Sequence, residues 1–179
     1  MKSKPDSLTW LPVWDRPVRL LHWLLVASIA GAWWTSSRIG PVHEWFGYGA
    51  AGVVSARLLW SRFGNAYARF GQFVRSPRAT LSYLRQIAAG SAPRYLGHNP
   101  AGGAMVVALL ACVALVALSG WATTTDLLWG YAWPVQLHNA LAWLLVGLIA
   151  LHLGGVLLAS WQHRDNLVKA MVTGKKTLE

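Results

Sequence analysis

The sequence predicts an all-α integral membrane protein, a four-helix transmembrane bundle with both termini in the cytoplasm. Three observations predict it. The chain is 55% hydrophobic and only 12% charged, where an ordinary soluble domain carries about a quarter charged residues, and its mean hydropathy is +0.37. Four apolar segments each come close to the roughly 20 residues that a spanning helix needs. The basic residues fall almost entirely on one side of those segments. The 179 residues read as a single membrane domain.

The first segment runs from about Val18 to Trp34 and is opened by Arg16-Pro17. Ser36 to Gly40 separates it from the second, about Val42 to Trp60. The third, about Ala104 to Ala122, follows Asn99-Pro100, and the fourth, about Val135 to Trp161, follows Trp133-Pro134. Proline at or just before a first turn suits a helix start, where its missing N–H is not needed. Between the second and third segments lies a basic loop, about 62–99. Within it PRATLSYLRQIAA predicts a short helix entered at Ser76-Pro77, with Leu81, Leu84 and Ile87 at helical spacing and arginines beside them. That pattern places the helix on the inner membrane surface, against membrane lipid.

Four spans put both termini and the long loop on one side. That side receives Lys2, Lys4, Arg16, Arg19, Arg57, Arg62, Arg69, Arg75, Arg78, Arg85, Arg94, Arg164, Lys169, Lys175 and Lys176, and the other only Arg38. The asymmetry makes the basic side cytoplasmic. A net charge of +10 raises the question of nucleic acid as a partner. The answer is no, because the charges lie between and beside apolar segments and form no basic surface with interleaved aromatics. Most of the 12 tryptophans fall near span ends, among them Trp14, Trp60, Trp121 and Trp161, and read as interface anchors. The single cysteine, Cys112, sits in an apolar run and reads as a small packing residue. The polar start MKSKPDSLTW and the lack of a small-residue cleavage pattern lead us to expect no cleavable signal.

The fourth segment carries His138 and His152, fourteen positions apart. At about 100° per residue that spacing returns to within roughly 40° of one face, with the rings about 21 Å apart along the axis. A histidine inside a membrane helix is costly and usually faces the bundle interior. Topology gives two depth-matched pairs: His22 with His152 near the inner surface, and His43 with His138 near the outer. Two imidazoles facing each other at one depth hold a haem iron from both sides, so the pattern predicts two stacked b-type haems. No CxxCH is present for covalent attachment.

Arg57, fourteen residues after His43, falls on the same helix face at about the depth of His152. There it would meet a haem propionate, or else snorkel to the inner interface. His98 and His163 have no depth-matched partner and read as interfacial polar residues. For His98 a propionate or quinone contact is the other reading. The rival class is a histidine-based metal transporter. It fits less well, because a tetrahedral zinc or copper site gathers its ligands at one depth.

The runs VWDRPVRLLHW, HEWFGY, RYLGHNPAGG, LHNALAWLL, ALHLGGV and HRDNLVKAMVTGKK together resemble the bacterial cytochrome b561 family, which includes cytochrome b subunits of nickel–iron hydrogenases. The resemblance covers about Val13 to Lys176. It implies a multi-pass protein of the bacterial inner membrane whose four-helix core holds two b haems. The axial ligands it implies are His22 and His152 for the inner haem, and His43 and His138 for the outer. It also implies electron exchange between a quinone pool and an outer-face partner, a c-type cytochrome or a periplasmic dehydrogenase. A self-sufficient superoxide:quinone oxidoreductase is the other activity found among small members.

Overall fold

The computed structural model describes residues 9–37 and 41–178. The assignments of Lys2, Lys4 and Arg38 to sides of the membrane, and part of the Ser36–Gly40 separator, lie outside those residues. The described residues form helices and their connecting loops, with one short β ribbon.

Four long helices correspond to the four apolar segments: α1 (Arg16–Thr35), α2 (Pro41–Phe63), α5 (Pro100–Thr123) and α6 (Ala132–Gln162). Capping explains where two of them begin. Asp15 Oδ1 accepts the Val18 N–H at 2.9 Å, with Pro17 in the first turn. Asn99 Oδ1 accepts the Gly102 N–H at 2.7 Å, with Pro100 opening the helix. Both caps satisfy backbone donors that the first turn leaves open, so α5 starts four residues before the apolar run does. The loop helix, α4 (Pro77–Ala88), is capped by Ser76 in the same way.

Helix α1 packs on α2, α2 on α5 and α5 on α6. All four contribute to one core, with Ala50, Val54, Leu110, Val113 and Leu145 at its centre and Leu25 against it. Cys112 is buried there, its Sγ 3.7 Å from the Leu141 carbonyl. The outward faces are as apolar as the inward ones: Leu118 on α5, and Leu144, Leu151 and Leu157 on α6, are more than half exposed. Helices apolar all round belong in a core or a membrane. Among the described residues, α5 and α6 are the two helices long and apolar enough to cross a membrane on their own. Helices α1 and α2 are diluted by Arg19, His22, His43, Glu44, Arg57 and Arg62.

Three described elements at the end that carries the 62–99 loop have no counterpart in the sequence-based expectation. They are a single turn, α3 (Phe70–Phe73), a short helix α7 (Leu167–Thr173), and an antiparallel ribbon of β1 (Thr9–Pro12) with β2 (Lys175–Leu178). The ribbon ties the segment before α1 to the segment after α6. Gly174 takes φ +81°, a conformation open to glycine at little cost, and its carbonyl accepts from Val13 N at 2.8 Å and Trp14 N at 3.1 Å. The Arg19 guanidinium donates to the Val172 carbonyl. Trp14, expected at the interface, is instead internal, and Trp60 is half-buried. Trp60 donates from Nε1 to Asp15 Oδ2 at 3.1 Å. The reason is this clasp, which covers the helix ends that would otherwise meet headgroups. Helix α4 turns Tyr83 inward and half-buries Ile87, while Leu81 and Leu84 stay exposed.

Candidate haem site

Helices α2 and α6 bring His43 and His138 side by side, with ring centroids 6.2 Å apart and planes at 85°. Each ring is oriented by the backbone of a neighbouring helix. His43 Nδ1 lies 2.9 Å from the Ala32 carbonyl of α1. His138 Nδ1 lies 3.0 Å from the Val116 carbonyl of α5 and 3.2 Å from Ser119 Oγ, whose own hydroxyl donates to Val116 O at 2.9 Å. A carbonyl only accepts, so in both rings Nδ1 carries a proton, and in the neutral imidazole Nε2 then keeps a bare lone pair. This is the tautomer a metal requires, held by the outer-shell bond that metal-ligating histidines almost always have.

Gly120 completes the arrangement by its small size. A Cβ there would stand 3.0 Å from His138 Cε1, so glycine lets the ring lie against α5. Neither Ser119 nor Gly120 emerged from the sequence reading. Their signal was a small polar–glycine pair late in an otherwise aliphatic helix, a composition that marks close helix approach.

At the other level, His22 of α1 and His152 of α6 lie within electrostatic range of each other. His22 meets Trp23 edge-on at 5.1 Å, and its enclosed Nδ1 has no hydrogen-bond partner among the described residues. Arg57 does not snorkel outward. It is 7% exposed, donates from Nη2 to the Ala68 carbonyl at 3.0 Å, and sits 4.9 Å from the Phe70 ring centre, leaving Nη1 enclosed without a partner.

His98, read from sequence as an interfacial residue, has its ring between Trp14 at 4.6 Å and Phe73 at 4.4 Å. The residue keeps some exposure overall, yet its Nδ1 is fully enclosed and unpartnered. Burial, with nearby Arg57, Lys176 and His152 adding to it, pushes its pKa down to about 3, so the ring is neutral. His163 closes α6 as its C-cap, donating from its backbone N–H to Ala159 O at 3.0 Å.

These residues fit haem. An iron held between two imidazole nitrogens at about 2 Å each sets the ring centres roughly 6 Å apart, the separation of His43 and His138. The enclosed, unsatisfied nitrogens of Arg57 and His98 fit acidic groups on the cofactor's edge, since buried polar atoms in native proteins find partners.

No curated protein matches the chain, and no solved structure does. A family model, that of prokaryotic cytochrome b561, matches residues 13–174. That span contains every residue of both histidine levels and the glycine at which the tail turns back. The chain therefore belongs to the prokaryotic cytochrome b561 family, membrane proteins that bind haem b and carry electrons.

Proposed function

We propose that the protein is a four-span cytochrome b of the bacterial inner membrane, with both termini cytoplasmic, carrying electrons through two haems b. On this reading His43 and His138 hold the outer haem, and His22 and His152 the inner. Each haem b supplies a one-electron carrier whose potential is set by its ligands, nearby hydrogen bonds and burial. The chain's part is to fix imidazole orientation through Ala32 O, Val116 O and Ser119, and to place cations at the cytoplasmic end. The electrons pass between a quinone/quinol pool and an outer-face redox partner, a c-type cytochrome or periplasmic dehydrogenase. Two haem levels at opposite ends of the helices serve such a route, because donor and acceptor then lie on different sides.

The observation that carries this reading is the His43–His138 pair with both Nδ1 atoms bonded to backbone carbonyls. The metal-transporter rival loses support from the same geometry. Among the described residues no three of His, Cys, Asp and Glu gather where one metal ion could reach them. The direct test is a reduced-minus-oxidised visible spectrum of the purified protein, followed by addition of a quinol analogue. Two b-type haems reduced by quinol support the proposal, and a colourless protein or haems inert to quinol would sink it.

A further inference from the structure

The cytoplasmic end holds a group of buried cationic and polar side chains that the axial ligands do not explain. Arg57 comes from α2, His98 from the loop before α5, and Lys176 from β2 after the tail has folded back. Arg57 Nη1 and His98 Nδ1 are enclosed and unpartnered, and Lys176 is 5% exposed. Arg57 and His98 are linked by contacts: Arg57 covers Phe70, Phe70 packs on Phe73 at 5.4 Å, and Phe73 packs on His98. Arg57 and Lys176 are the charged residues that His98 feels most strongly.

The described carboxylates of this end are already engaged. Asp15 accepts from Val18 N, Trp60 Nε1 and Asn65 N. Asp165 faces both Arg94 at 3.4 Å and Lys176 at 3.7 Å. Glu44 begins α2, at the other end of that helix from Arg57, and Asp126 follows α5, at the far end of that helix from His98. Asp15 is close enough to act on Arg57 electrostatically, but no described acid hydrogen-bonds Arg57 Nη1. A buried guanidinium N–H without an acceptor is costly, and the enclosed Nδ1 of His98 calls for an acceptor too when it carries the ring's proton. A carboxylate is acceptor-only and suits both.

We propose that Arg57, His98 and Lys176 form one enclosed anion pocket at the cytoplasmic end, and that it takes the propionate carboxylates of the inner haem. The proposal rests on the two-haem reading above. It assigns the tail a binding role: residues 164–178 return beneath the helices to deliver Lys176.

The experiment is a potentiometric titration of the purified, haem-loaded protein followed by visible spectra, with haem content measured alongside. The inner haem is identified as the one lost in His22→Ala. Lys176→Gln and Arg57→Gln should lower the midpoint of that haem and leave the other unmoved, because less positive charge beside a propionate favours the oxidised iron. His98→Phe, which keeps the packing between Trp14 and Phe73, should move the same midpoint, and His98→Gln, which keeps an N–H, should restore most of it. Should Arg57→Gln or Lys176→Gln lose haem, the loss should fall on the inner haem alone and the charge-keeping Arg57→Lys or Lys176→Arg should restore it with a near-native midpoint; loss of the other haem would overturn the pocket. Two haems whose midpoints ignore all these changes would overturn the pocket alone. A purified protein with fewer than two haems would overturn the two-haem reading together with it. An inner midpoint that shifts as inorganic phosphate is raised would mean a free anion fills the pocket, and would overturn the propionate assignment.

Discussion

The two histidine levels are built in opposite ways. At the outer level the polar atoms are satisfied by the helices themselves: His43 Nδ1 by Ala32 O, and His138 Nδ1 by Val116 O and Ser119. At the inner level His22 Nδ1, Arg57 Nη1 and His98 Nδ1 are enclosed without partners, and two of the walls, Trp14 and the tail, come from outside the four long helices. The outer level is thus preorganised by α1, α2, α5 and α6 alone. The inner level is completed by chain ends, and if the proposed pocket is filled by an anion its order depends on occupancy. Each unsatisfied buried polar group costs about 1–3 kcal/mol until it is paired.

The largest expected effect tests whether the levels are independent. His138→Ala or His43→Ala should remove one haem entirely and leave the inner one, since nothing at the inner level leans on those rings. The pyridine haemochrome content would halve. Loss of both haems from either variant would show that the levels are coupled and break the comparison. Gly120→Leu should act nearly as strongly on the outer haem. Even a Cβ at that position would press on His138, and a branched side chain must push the ring away from Val116 O.

Next comes haem supply. In protein made under haem starvation the end that carries the β1–β2 ribbon should loosen first, because its orphaned groups are the ones left unpaired. Trypsin should then cut at Arg164, Lys169 or Lys175 several-fold faster than in the loaded protein, while the α5–α6 connection changes little. Gly174→Ala should mimic part of this without removing haem. A Cβ there would stand 2.7 Å from the Trp14 carbonyl, at φ +81°. We expect a loss of about 1–3 kcal/mol for a side chain forced into that conformation, read as a lower thermal midpoint and faster tail cleavage. A tail equally protected in both preparations would remove the claimed dependence on occupancy.

The same contrast explains what the sequence made legible. His138 and His152 sit fourteen residues apart on one helix, and so do His43 and Arg57, so periodicity alone puts each pair on one face. The four long helices and their proline-led starts follow from local pattern too. What joins Trp14 to His98, Asp15 to Trp60 and Gly174 to Val13 carries no period, because those partners lie in segments far apart in sequence. By sequence alone Trp14 therefore reads as an interface anchor, and His98 as an interfacial residue. Arg57's face was legible, but its burial was not. That burial depends on Ala68 and Phe70 in an irregular stretch whose one turn, α3, is too short to announce itself.

The smallest expected effect separates the two bonds that orient His138. Ser119 Oγ and Val116 O share the Nδ1 proton, and the serine hydroxyl itself donates to Val116 O. Ser119→Ala removes one acceptor from the ring and one donor from the carbonyl, so the remaining His138–Val116 bond is no longer in competition. The tautomer should persist and both haems should stay bound. The loss in stability should be about 0.5–1.5 kcal/mol, the net worth of one intramolecular hydrogen bond. Because the hydrogen bond on Nδ1 tunes the basicity of Nε2, the outer midpoint should move slightly while the inner one holds. A redox titration that finds the inner midpoint moving as much as the outer would mean that Ser119 acts through the α5–α6 packing as a whole. The ring would then be oriented by helix position, and the backbone carbonyl of Val116 would be an accessory to it.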